Sequence, residues 1–166
     1  MESEWVAQEE FMQRLNDIQK WTESLQKRVI GEPQWVDKKS VFEYPKVTVE
    51  VVVILKLTRA VQSLKSLELL CGNGLFIDMG TVLRCVADCI SEIYFLLEKY
   101  PEKSSLVEKF IENFSQTTID KHLAPKTETV LSNKLHNAMA RALSEAENNH
   151  QVQEIIRHIY KTFSGY

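Results

Sequence analysis

Between Thr81 and Glu92 the sequence TVLRCVADCISE sets Arg84, Asp88 and Glu92 at successive four-residue steps in a run that is otherwise small and apolar. On a helix such positions are neighbours along one face, so Arg84 and Asp88 form an ion pair that Ser91 and Glu92 extend into a polar arc. An arginine fork matches the paired oxygens of a carboxylate or a phosphate, so Arg84, Asp88, Ser91 and Glu92 are the candidate polar site. Three environments fit it. Facing water, the pair contributes little. Facing a cleft or a dimer partner, the fork binds an anion. Inside the protein, the pair needs further polar partners to offset its desolvation.

The remaining reactive side chains offer less. His150, Glu154 and His158 also step by four, but eight residues rise about 12 Å along a helix, so the three cannot share one ion. A solvated helix face is the expectation there, and His122 and His136 stand alone as surface or satisfied groups. Cys71, Cys85 and Cys89 sit in apolar contexts without a C-x-x-C pair, which predicts reduced, buried thiols rather than disulfides. Cys85 and Cys89 share a helix face, yet no third ligand lies nearby, so neither a metal nor another cofactor is expected. Phosphate-loop, dinucleotide, nucleophile-elbow and zinc-protease motifs are all missing from the sequence. Lys56, Arg59 and Lys65, with Gln62 and Ser63, make either a small positive face or a solubilising one.

The elements that must carry these residues read as helices. Phe11, Leu15, Ile18, Trp21 or Thr22, Leu25 and Val29 recur at three- and four-residue steps, predicting a helix over 3–29 that Gly31-Glu32-Pro33 stops. Residues 34–45 read as an apolar connector pinned against the body, with room for a helical turn. VTVEVVVIL is β-branched and locally strand-like. The longer recurrence of Val53, Leu57, Ala60, Val61, Leu64, Leu67 and Cys71 favours a helix over 46–71, closed by Gly72 as a left-handed cap. Further helices are predicted from 73 or 74 to 100, buried on most sides, and over 101–116, 127–147 and 150–164, with a loop over 115–126. The fold class is all-α: an antiparallel bundle of five or six helices, residues 1–166 forming one domain with the 46–71 and 74–100 pair as its central hairpin.

At 166 residues and 19.2 kDa, with 44% hydrophobic and 26% charged residues, the chain is long enough to bury a core of its own. A net charge of −3 gives no overall reason to bind RNA or DNA. The start, MESEWVAQEEF, is unlike a signal peptide, and the longest apolar run is broken by Glu50 and Lys56, so no membrane partner is expected and a cytoplasmic location follows.

The run LTRAVQSLKSLELLCGNGLFIDMGTVLRCVADCISEIYFLLEKY, with the Arg84–Asp88 pair and the late YKTFSGY, resembles an uncharacterised bacterial family, domain of unknown function five-six-seven-seven. That family is similar in outline to HEPN-like helical proteins, some of which are RNA-cleaving toxins or parts of phage-defence systems. The resemblance implies an all-helical, dimeric fold and either of two functions: a non-enzymatic module acting through a protein partner or self-association in a stress or defence setting, or a ribonuclease. The ribonuclease signature, arginine, four residues, then histidine, is absent, since the fifth positions after Arg14, Arg28, Arg59, Arg84, Arg141 and Arg157 are Gln19, Pro33, Leu64, Cys89, Ala146 and Thr162. The family is expected to continue beyond Ser164-Gly165-Tyr166 into a Val-His element, so the chain is either naturally short or a piece lacking that histidine. A third reading is a small-ligand pocket lined by Cys85, Cys89 and nearby aromatics.

Overall fold

The computed structural model describes residues 2–38, 40–98, 100–102, 104–115, 135, 137–139 and 141. Helix α1 spans Glu2–Leu25 and runs on as a π-helical turn over Gln26–Ile30. Strands β1 (Gln34–Val36) and β2 (Val41–Glu43) form an antiparallel hairpin, and helices α2 (Val49–Gly72), α3 (Phe76–Leu97) and α4 (Ser105–Ser115) follow. The fold class is all-α, with the hairpin as its small exception. The predicted loop over 115–126 and the helix over 150–164 lie outside the described residues; within the helix expected over 127–147, residues 135, 137–139 and 141 are helical.

In α2 the helical period wins over the strand propensity of its valines. Thr48 caps the helix, its Oγ1 accepting from the Val51 N–H at 3.4 Å, and Glu50 in the first turn suits the positive end of the helix dipole. Val49, Val51, Val52, Ile54, Ala60 and Val61 are then buried, and that burial overrides a weak local preference. The helix ends in a Schellman turn: the Gly74 N–H bonds the Cys71 carbonyl at 3.0 Å and the Leu75 N–H bonds that of Leu70 at 3.0 Å. The residue with positive φ is Gly74 (69°), whereas Gly72, expected as the left-handed cap, is the last helical residue.

This turn folds α3 back on α2, and the two make the most extensively packed pair of elements. The core lies at the end away from the turn, where Val49 and Val52 of α2 meet Phe95 and Leu96 of α3, Val107 of α4 and Ala138. Phe110 packs on Phe95 with ring centroids 5.8 Å apart, and Leu106, Ile111 and Phe114 flank the same cluster. Helix α4 begins at Ser105 rather than 101, because the Ser104 Oγ accepts from the Val107 N–H at 3.3 Å and caps it there.

Three expectations are corrected. In α1 and the π-helical turn that continues it, the inward face carries Leu15 and Thr22, buried, and Met12, Gln19 and Gln26, half-buried, while Phe11, Ile18, Trp21 and Val29 are exposed. The face that meets α2 is thus a narrow seam, and Thr22 fits it because its hydroxyl donates to the Ile18 carbonyl at 2.7 Å. The 34–45 connector carries a β-hairpin, and its Trp35 and Phe42, edge to face at 5.1 Å, are exposed rather than pinned against the body. Helix α3 is not buried on most sides: Leu83, Ile90 and Leu97 are exposed together with Arg84 and Asp88.

Leu96→Ala removes a fully buried side chain between α2 and α4 and is expected to cost about 2–5 kcal/mol, read as a lower urea midpoint. Gly74→Ala meets no neighbouring atom and is expected to cost only the backbone term, about 1–2 kcal/mol.

Candidate functional site

The predicted arc does not stay together. Arg84 and Asp88, nearer the turn than Ser91 and Glu92, are exposed. Ser91 is buried, its Oγ donating to the Ala87 carbonyl at 2.8 Å and lying 3.3 Å from the Met139 Sδ. Glu92 turns towards α2, where its Oε2 lies 2.5 Å from the Lys56 ammonium. Helical periodicity puts all four on one arc, but among the described residues Met139 meets it at Ser91, and Phe114 of α4 meets the Lys56 that pairs with Glu92.

What the hairpin does assemble is a cluster of Lys56, Arg59 and Ser63 from α2 with Cys85, Cys89 and Glu92 from α3. The Lys56 and Glu92 side chains are 16% and 17% exposed, and Lys56 also sits 5.4 Å from the Phe114 ring centroid. Glu92 Oε2 is sealed from solvent without a well-aligned hydrogen bond, so the Lys56 charge is what offsets its desolvation. Arg59, itself exposed, donates to the Cys85 sulfur; that hydrogen bond and the nearby Cys85 and Cys89 thiols hold its proton more tightly than usual. The Ser63 hydroxyl lies 4.0 Å from the same sulfur. Burial pushes the Cys89 thiol up to about 11, with Lys56 working against it.

The expected positive face is thereby divided. Lys56 and Arg59 are drawn to α3, while Lys65 donates to Gln19 of α1. Of the three thiols only Cys89 is fully buried; Cys85 is half-buried and Cys71, beside the turn, is exposed. One signal for this cluster was present in the sequence: in an antiparallel hairpin, residues equidistant from the turn face one another, and Ser63 with Cys85 and Lys56 with Glu92 are such pairs.

A cavity of about 450 Å³ lies elsewhere, lined by Phe95, Glu98, Ser104, Leu106, Val107, Asn137 and Arg141, so it is not the pocket expected at Cys85 and Cys89. Across it Arg141 grips Glu98 with both Nε and Nη2, the latter 3.0 Å from Oε2. Among the described residues no group of three His, Cys, Asp or Glu could hold a metal, and His122, His136, His150 and His158 lie outside them. No helix among the described residues is long and apolar enough to cross a membrane.

An all-α chain organised on one antiparallel hairpin, with a charged and thiol-bearing cluster between its arms, is a helical module of simple architecture. Residues 50–165 match the family of unknown function DUF5677, and the chain belongs to that family. The matched span opens at the second residue of α2, leaving α1 and the β-hairpin outside it. Neither a curated protein nor a solved structure matches the chain.

Lys56→Met strands the sealed Glu92 carboxylate and is expected to destabilise more than the double variant Lys56→Met/Glu92→Leu, which removes both charges; urea unfolding of the three proteins decides it. Thiol titration at neutral pH is expected to modify Cys71 first, Cys85 more slowly and Cys89 only on unfolding. Because the folded Cys89 value of about 11 exceeds the ordinary 9.0, its contribution to stability is whole below pH 9 and is lost as pH rises towards 11. Cys89→Ala is expected to flatten that part of the pH profile.

Proposed function

We propose that the chain is a non-enzymatic binding module that acts by contact with another protein chain, a second copy of itself included. The observation that carries this reading is the apolar display at the turn end of the α2–α3 hairpin, where Leu69, Leu75, Phe76 and Ile77 are all exposed and Ile77 is 90% accessible. Soluble chains rarely leave large apolar side chains clustered this way without a partner. Free thiols at Cys71, Cys85 and Cys89 suit a reducing, cytoplasmic compartment. The HEPN-like outline of the sequence is what suggests a bacterial stress or defence setting.

The ribonuclease alternative draws less support. Arg84 and Asp88 are exposed and separated in environment from Ser91 and Glu92, so no described acid–base pair stands beside the arginine fork. Ile77→Asp removes an exposed side chain and is expected to change stability by no more than about 0.5 kcal/mol, while abolishing concentration-dependent association in sedimentation equilibrium. RNA cleavage by the purified chain, lost in a folded Arg84→Ala variant, would overturn the binding reading in favour of the enzyme.

A further inference from the structure

One apolar seam runs the whole length of α3. Phe76, Leu83, Ile90 and Leu97 recur along it at seven-residue intervals and are 69%, 39%, 38% and 45% exposed. Gly80, Ala87 and Tyr94, half-buried, fall between them, so the seam steps by four and three throughout. This is the spacing at which the side chains of two helices interdigitate. The seam is ~32 Å long at 1.5 Å per residue, and its Phe76 end belongs to the exposed apolar tip of the hairpin. Its two rows differ in size: the row from Phe76 to Leu97 is large throughout, whereas the other is minimal at Gly80 and Ala87.

We propose that this seam pairs with the same seam of a second copy of the chain, the two α3 helices running antiparallel about a two-fold axis between Asp88 and Cys89. The inference rests on the reading of the chain as a binding module and names its partner and its contact face. Size selects the orientation. In a parallel pair each residue meets its own copy, so Gly80 and Ala87 leave voids while Ile90 and Leu97 abut themselves and hold the helices apart. The antiparallel pair sets the large row over the small one: Ile90 lies opposite the partner's Ala87, Leu97 opposite the partner's Gly80 and Leu83 opposite the partner's Tyr94. A two-fold pairing makes each of these layers twice, since the same patch serves both copies. Charge and helix length select the register. Sliding by one heptad towards the turn moves the axis to Cys85 and sets exposed Arg84 against the partner's Arg84, whereas the proposed register keeps the two ~13 Å apart along the helices. Sliding the other way carries Gly80 and Leu83 past the partner's Leu97, where α3 ends. In the proposed register Ile77 flanks that same end of the partner's α3, so the hairpin tip and the seam are parts of one contact.

The test is sedimentation equilibrium of the full chain, of Ile90→Glu, of Ala87→Lys and of an equimolar mixture of the two variants, with circular dichroism to show that each variant is folded. The expected result is a wild-type dimer, association weakened more than about tenfold in either variant alone, and a dimer restored in the mixture. Restoration is specific to the proposed pairing, because positions 90 and 87 of different copies meet only there; a parallel pair, or one slipped by a heptad, leaves the mixture as weak as its components. Three results overturn the proposal: a wild type that is monomeric at every concentration, variants that dimerise as the wild type does, or a mixture no tighter than either variant. Each of them leaves the binding reading standing with another partner or another face, since that reading falls on the separate observation of RNA cleavage lost in Arg84→Ala. If either variant is unfolded, Leu83→Glu mixed with Tyr94→Lys probes the neighbouring layer and is decided by the same outcomes.

Discussion

The Schellman turn at Cys71–Leu75 is the constraint on which the rest of the molecule depends. Its two hydrogen bonds and the positive φ of Gly74 reverse the chain within a few residues, so α3 has to return along α2. Once that reversal is set, the register of the two helices follows. Ser63 faces Cys85, Lys56 faces Glu92, and the Tyr100 hydroxyl reaches Glu50 at 2.7 Å near the far end. The Val49–Val52 and Phe95–Leu96 layers are thereby brought to one level, where α4 can pack on both.

The same register decides the electrostatics. Lys56 and Glu92 from different helices meet with little solvent beside two thiols, and burial makes ionisation of Cys89 unfavourable. Arg59 and Ser63 then satisfy the half-buried Cys85 sulfur from the opposite helix. These contacts hold the arms of the hairpin in one pairing: sliding α3 by a turn would leave the Glu92 carboxylate buried against apolar side chains. The cluster is accordingly read as a device that specifies the hairpin rather than as a reaction centre.

The two ends of the hairpin differ because different numbers of elements reach them. At the core end α4 and the segment around Ala138 surround α3, and Ser91, Phe95 and Leu96 are buried. Near the turn, among the described residues, α2 is the element that packs on α3, and Phe76, Ile77 and Leu83 are accessible. That asymmetry leaves apolar surface accessible at one end of the hairpin and places the packed core at the other.

Much was legible in the sequence. The recurrence of apolar residues over 46–71 outweighed the β-branched run of residues 47–54, Gly31 and the C-G-N-G run placed the helix ends, and the central hairpin followed from the short link between the helices. Local chemistry suffices for such features, since a helix and its caps are built from neighbours in sequence. Tertiary structure alone decided which side of each helix was covered. Periodicity put Arg84, Asp88, Ser91 and Glu92 on one arc, but their exposure was set by whether α4 and the Met139 segment reached that turn of α3. Likewise Trp21 and Thr22 compete for the inward face of α1, and the more hydrophobic residue lost: Trp21 is exposed, while Thr22 is buried with its hydroxyl bonded to the Ile18 carbonyl. Burial is a property of the partner surface as much as of the residue, and that surface arrives from parts of the chain distant in sequence.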